Sequence, residues 1–167
     1  MSQPPQSGAR PVNSLSAVSA PSHQAWLEQT LQLALTHRQQ GGRPFAALLV
    51  RDNQLVASAV NRMLEAGDPS RHAELEALRE GSRKGPLAGA IVYASGHPCP
   101  MCLCALVMNG ISAVYYAFDN ADAAPFGFDS TSSYDKLRLP LSPPPLPLIK
   151  LPSSIPAAAL YGPQSHG

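Results

Sequence analysis

Proline confines regular structure to the middle of this chain. Of the 18 prolines in 167 residues, four precede residue 22, eight lie from Pro140 onward, and six remain for the 118 residues between. Proline lacks a backbone N–H and fixes φ, so segments dense in it cannot build helix or sheet interiors. Residues 1–21, rich in Ser, Pro, Gln and Gly, read as a disordered tail. After Pro143-Pro144-Pro145, the segment Leu146-Pro147-Leu148-Ile149-Lys150-Leu151 reads as an edge strand, where proline is tolerated. Residues 152–167 read as a loose Pro-rich arm. Residues 22–151 remain as one domain, long enough for a real core and too short for two.

Within that domain the pattern alternates. Ala25 to His37 carries Trp26, Leu27, Thr30, Leu31, Ala34 and Leu35 at helical spacing, and Gly41-Gly42 stops it. Phe45 to Arg51 and Gln54 to Val60 flank Asp52-Asn53, a hairpin signal. Asp68-Pro69-Ser70 reads as a turn and N-cap before a helix from Arg71 to Arg83. Ala90 to Ser95 is a buried strand, and a helix starting at Pro98 or Pro100 runs to Asn109-Gly110. Ser112 to Phe118 is a further strand. A hairpin followed by strand–helix units predicts an α/β domain, a mixed sheet covered by helices on both faces.

Charged residues are 14% of the chain and the net charge is +1, so no global field points to nucleic acid or an anionic membrane. No apolar run approaches the roughly 18 residues of a membrane span. Residues 1–21 lack the basic start and apolar block of a secretory signal. Three cysteines, two of them in Cys-x-x-Cys, point to metal binding or redox work in a reducing, cytoplasmic setting.

His72, Cys99 and Cys102 are the candidate metal ligands. Imidazole and thiolate are preferred zinc donors, and three protein ligands leave a fourth position for water. Pro98-Cys99-Pro100-Met101-Cys102 puts two sulfurs one turn apart at a helix start, where unpaired N–H groups favour thiolate. Glu74, two residues beyond His72, is the natural base beside that position. Taken singly, His72 is a solvated helix-start histidine and the Cys pair is a redox dithiol or half a zinc finger. Cys104, two residues after Cys102, points away from the pair and reads as a small core residue. His37 reads as a helix-end residue favourable for the dipole, His97 as a loop or outer-sphere residue, and His23 and His166 as parts of the tails.

The combination His72-Ala73-Glu74 with Pro98-Cys99-x-x-Cys102 is the zinc deaminase signature. From about Trp26 to Asp135 the chain resembles the cytidine deaminase-like superfamily, and within it the bacterial guanine deaminases most. The likeness also runs through Gly42-Arg43-Pro44-Phe45, Asn61, Asp68-Pro69, Leu103, Asp122-Ala123-Ala124 and Gly127-Phe128-Asp129. It implies a three-layer α/β/α sandwich with a five-stranded mixed sheet, one Zn2+ per chain and a homodimer. It also implies hydrolytic deamination of a small aminated heterocycle, guanine to xanthine being the best fit, with Glu74 shuttling the protons. Asn61 is then a purine hydrogen-bonding residue and Phe45 a stacking wall, while Ala73 and Pro98 offer backbone groups.

Two features depart from the resembling enzymes. Their second acidic residue falls here at Ser130, with Asp129 adjacent, and serine is no comparable acid at neutral pH; this leaves cytosine, a nucleoside or an amino-triazine as alternative substrates. Their longer aromatic-bearing C-terminal arm is here Pro-rich, with Tyr161 as its single aromatic. Two rival functions remain. One is tRNA adenosine deamination, disfavoured by ten Lys and Arg against eleven Asp and Glu over residues 22–139. The other is a non-catalytic zinc scaffold acting through Pro-rich ends.

Overall fold

The computed structural model describes residues 21–140 and 142–164. The expected disordered tail, apart from Pro21, and His166 lie outside the described residues. Helix α1 (His23–Gln39) starts on Ser22, whose side chain accepts from the Ala25 N–H. Strands β1 (Ala46–Arg51) and β2 (Gln54–Val60) form the expected hairpin. Its turn residues Asp52 and Asn53 both adopt left-handed backbone, φ 51° and 56°, the geometry that matches strand twist in a two-residue turn. A short α2 (Met63–Ala66) precedes α3 (Ala73–Ser82), β3 (Ile91–Gly96), α4 (Pro100–Met108) and β4 (Ala113–Phe118). Then come α5 (Asn120–Ala123), a 3-10 turn, α6 (Thr131–Leu137), β5 (Leu148–Lys150) and α7 (Ala157–Tyr161).

The five strands lie in the order β2-β1-β3-β4-β5. β1 is antiparallel to both neighbours, whereas β3–β4 and β4–β5 are parallel. β5 is the edge strand read from the proline-interrupted run. Alternation along β1 sends Ala47 and Leu49 to one face and Ala46, Leu48 and Val50 to the other. The first face packs against α3 and α4 through Ala73, Ala77, Leu103 and Leu106. The second packs against α1 and α7 through Trp26, Leu27, Leu31 and Leu160. Burial on both faces makes this the three-layer α/β/α sandwich.

Several local expectations are corrected. The helix expected from Arg71 starts at Ala73, because Asp68 is consumed by its own turn: its Oδ1 accepts from the Ser70 N–H at 2.8 Å and the Ser70 hydroxyl at 2.7 Å. His23 belongs to α1, hydrogen-bonded to the Tyr93 hydroxyl at 2.8 Å and stacked on Tyr115. Cys104 is exposed, since two residues at about 100° each turn it away from the buried Cys102. The arm after residue 152 is not loose through Gln164. α7 carries Leu160 and Tyr161 into the core, where Tyr161 meets Phe45, Phe118, Phe126 and Phe128. Glycine at 96 permits that approach, because a Cβ there would lie 2.9 Å from the Tyr161 hydroxyl.

Candidate active site

The topology gathers the signature residues at one end of the sheet. β1 and β3 are antiparallel, so the chain entering β1 (Phe45) lies beside the chain leaving β3 (toward Cys99). β2 ends across from the start of β1, which brings Asn61 alongside, its N–H donating to the Phe45 carbonyl at 3.0 Å. β4 leaves at the same end and leads to residues 127–130.

His72 and Cys99 occupy equivalent places, each the N-cap of its helix with extended backbone, and neither makes a side-chain cap hydrogen bond. Both side chains turn instead toward one point. His72 Nδ1 lies 3.5 Å from Cys99 Sγ and 3.5 Å from Cys102 Sγ, and the three ligand atoms lie within 4.8 Å of one another. A tetrahedral zinc with usual bond lengths has N···S edges of about 3.6 Å, so the donor set fits that ion. Its proton chemistry fits as well. Cys99 is pulled down to about 4, chiefly by the hydrogen bond from the Cys102 thiol and also by His72, while Cys102 is pushed up by the same thiolate and by burial. A bound cation displaces the protons these groups otherwise share.

Glu74 is buried beside this cluster, its Oε2 accepting from the Cys102 thiol at 3.5 Å. Burial, and then the negative Cys99 sulfur, raises its carboxyl to about 7. A carboxyl poised there can both take and give a proton near neutrality.

These groups open onto a cavity of about 430 Å³. Of the residues singled out from sequence, Phe45, Asn61, His72, Glu74, Cys99, Asp129 and Ser130 line it. Ala73 and Pro98 do not: both are buried, and the Pro98 carbonyl accepts from Tyr134 Oη at 2.5 Å. Asn61 both caps a turn and faces the cavity. Its Oδ1 accepts from the Met63 N–H at 3.1 Å, leaving the amide NH2 as the free donor. Ser130 Oγ donates to Asn120 Oδ1 at 3.2 Å, and exposed Asp129 accepts from the Thr131 N–H.

The sequence reading missed two contributors and left a third, His97, between a loop and an outer-sphere place. Arg43 and Phe128 form part of the wall, with the guanidinium 5.4 Å from the ring centroid; both stood in quoted motifs, but nothing local assigned them a role. His97 also lines the wall, edge-on to Tyr116 and Tyr134, and burial lowers its pKa. His37, read as a helix-end residue, is buried, and its Nε2 hydrogen-bonds the Asn61 carbonyl at 2.8 Å.

The model of the cytidine and deoxycytidylate deaminase zinc-binding region matches residues 20–118. Guanine deaminase from Bacillus subtilis is 33% identical over 133 residues, spanning 77% of this chain and 85% of that protein. The X-ray structure of guanine deaminase from Bacillus subtilis superposes with a TM-score of 0.68 at 32% identity, covering 80% of this chain and 88% of that one. A tRNA-specific adenosine deaminase from Aquifex aeolicus is 32% identical over 95 residues, 55% of this chain and 63% of that protein.

Proposed function

This chain belongs to the cytidine and deoxycytidylate deaminase family of zinc-dependent hydrolases, and within it we propose that the protein converts guanine and water to xanthine and ammonia. One observation carries the reading: a buried, near-neutral Glu74 sits between a zinc-fitting ligand triad and a base-sized cavity. The choice of guanine is supported by the likeness to guanine deaminase across most of that protein's length.

His72, Cys99 and Cys102 would hold the ion. Zinc, when bound, supplies hydroxide near neutral pH by acidifying a coordinated water. Glu74 takes the proton from the attacking water and delivers it to ring N3. As the water oxygen bonds C2, the new C2 hydroxyl gives its proton to the same carboxylate, which passes it to the exocyclic amine; the C2–N bond breaks, ammonia leaves and the C2 carbonyl of xanthine remains. Phe45 walls the ring, and the Asn61 NH2 donates to an acceptor on the base. Asp129, at the rim, offers the one carboxylate of residues 127–130, so the adjacent Ser130 need not act as an acid.

Deamination of tRNA adenosine is the second reading, favoured by the 32% identity to a tRNA-specific adenosine deaminase. Against it, the basic cluster Arg79, Arg83 and Lys84 is neutralised by Glu76 and Glu80, so that cluster offers little free charge to phosphates.

We also place the protein in the cytoplasm as a homodimer. Cys99, Cys102 and Cys104 are all free thiols, and no described helix is long and apolar enough to cross a membrane. The exposed Met101, Val107 and Met108 along α4 form the kind of apolar surface a second copy would cover. Light scattering at micromolar concentration reads the mass directly; a monomer removes the dimer.

The test of function is ammonia release by zinc-loaded protein from guanine, adenine, cytosine, their nucleosides and amino-triazines, with Glu74→Ala as the blank. Turnover led by guanine supports the reading. Turnover of another ring moves the substrate and keeps the chemistry. Bound zinc without turnover of any small ring, and inosine formed in tRNA, transfers the protein to the second reading.

A further inference from the structure

The cavity wall facing the metal cluster has an excess of donors. Asn61 presents its NH2 because its oxygen is occupied by the Met63 N–H. The Ser130 hydroxyl donates to Asn120, and Asp129 stands exposed at the rim. His97, Ser133 and Arg43 are the other polar residues of this lining, and of these Arg43 has a buried side-chain nitrogen without a partner among the described residues. It joins none of the ion pairs among the described residues, and its Nε is buried without an acceptor. A guanidinium N–H in that state is costly unless something supplies an acceptor.

Its position is not accidental to a mobile stem. The guanidinium lies over the Phe128 ring, a contact favourable to a cation. The preceding Gly42 is pinned on α1: its N–H donates to the His37 carbonyl at 3.0 Å, and a Cβ at 42 would lie 2.1 Å from His37 Nε2. The same imidazole holds the Asn61 carbonyl. One α1 side chain therefore fixes the main chain beside both donors, an arrangement that suits a rigid planar ring presenting more than one acceptor.

We propose that Arg43 is a specificity-determining residue, a planar fork held over Phe128 that grips the oxo and ring-nitrogen acceptor edge of the purine. This rests on the deaminase reading above. The amidine carbon C2 faces Glu74, so the O6/N7 edge lies on the far side of the ring. That edge offers two acceptors at the spacing a guanidinium matches bidentately. A ring lacking either acceptor leaves a buried donor unpaired, which is what generates discrimination.

The experiment compares guanine with 7-deazaguanine, which keeps the reacting amidine and O6 but loses the N7 acceptor. The enzymes are the wild type, Arg43→Lys and Arg43→Met. Wild type should prefer guanine by about tenfold or more in kcat/KM. Both variants should bring the preference to within about threefold. Their loss on guanine should appear mainly in KM, because the contact is remote from the reacting bond and present before and during the reaction. Arg43→Lys keeps a cation and a long stem over Phe128, so it separates loss of the fork from loss of packing. A preference that survives in the variants, or an equal loss on both rings, overturns the assignment while the guanine reading stands. A wild type silent on guanine overturns the reading, and the assignment with it.

Discussion

Two pairs of helix starts in this fold have opposite priorities. α1 and α5 begin in the ordinary way: Ser22 accepts from the Ala25 N–H, and Asp119 forms a reciprocal capping box with Asp122. α3 and α4 begin on His72 and Cys99, whose backbones have the same extended cap conformation but whose side chains make no cap bond. An N-cap bond is worth about 1 kcal/mol, and the two functional helices forgo it so that both caps can aim at one ion. Each has a substitute. α4 carries Pro100 at its first turn, pre-set for helical φ. α3 carries Glu74 and Glu76 in its first turn, favourable for the helix dipole, and Glu76 is clasped by Arg71 through two 2.8 Å bonds.

The sharpest way to break this comparison is to give the functional helices proper caps. His72→Ser and Cys99→Ser each supply a good capping oxygen and remove a zinc ligand. Metal-free protein should gain about 1 kcal/mol in either variant, read by denaturant unfolding in chelator. Zinc content and activity should fall to background, at least about a thousandfold in kcat. Variants less stable than the metal-free wild type would show that the caps were not being forgone. Glu74→Gln comes next in size. It keeps the ligands, so zinc stoichiometry by elemental analysis should be unchanged while kcat falls about 10²–10⁴-fold.

The contrast also explains how much of the site could be read in advance. The clustering of His72, Cys99, Cys102 and Glu74 was legible because these residues are packed into two contiguous motifs, and helix starts are marked by prolines and turns. The sheet was legible because alternation and the Asp52-Asn53 turn are local signals. The opposite wall was not. Arg43 acquires a role only through Phe128, 85 residues on, and His37 only through Asn61. α7 was hidden for the same reason: Pro152 and Pro156 make the segment look irregular, and the aromatic partners that order Tyr161 lie between residues 45 and 128. The shifted start of α3 shows the reverse error, a good capping sequence spent on its own turn.

His37→Ala tests whether that wall depends on α1. It strips the Asn61 carbonyl of its partner and empties the space against Gly42. Stability should fall by about 1–3 kcal/mol, with a rise in KM exceeding any change in kcat. Unchanged KM would mean the wall is held by the sheet alone. Ser22→Ala, at a purely structural start, should cost about 1 kcal/mol and leave kcat and KM as they were; lost activity would erase the distinction between the two kinds of helix start.

The smallest effect concerns the substitute at α3. Hydrogen bonds from Arg71, with further help from Arg79, hold the Glu76 carboxyl below its ordinary range. A carboxyl depressed in the folded state binds fewer protons there than in the unfolded chain. Its stabilisation is therefore complete above the unfolded value of about 4.3 and is lost as pH falls through the lower, folded value. Glu76→Gln removes that linkage. At neutral pH the variant should melt about 2 °C lower, the modest scale of a partly exposed ion pair. As pH falls below about 4 the two melting curves should converge, because the wild type is then losing what the variant never had. Asp119→Asn, at a structural start, should also show a convergence on acidification, since its carboxyl is depressed by Lys150 and by the Asp122 N–H. What separates the sites is the reach of the change. Losing the Arg71 clasp loosens the residue next to His72, so zinc should dissociate faster from Glu76→Gln and at an unaltered rate from Asp119→Asn. Equal zinc off-rates in the two variants would reduce the Arg71–Glu76 pair to an ordinary surface contact and leave α3 without a substitute for its missing cap.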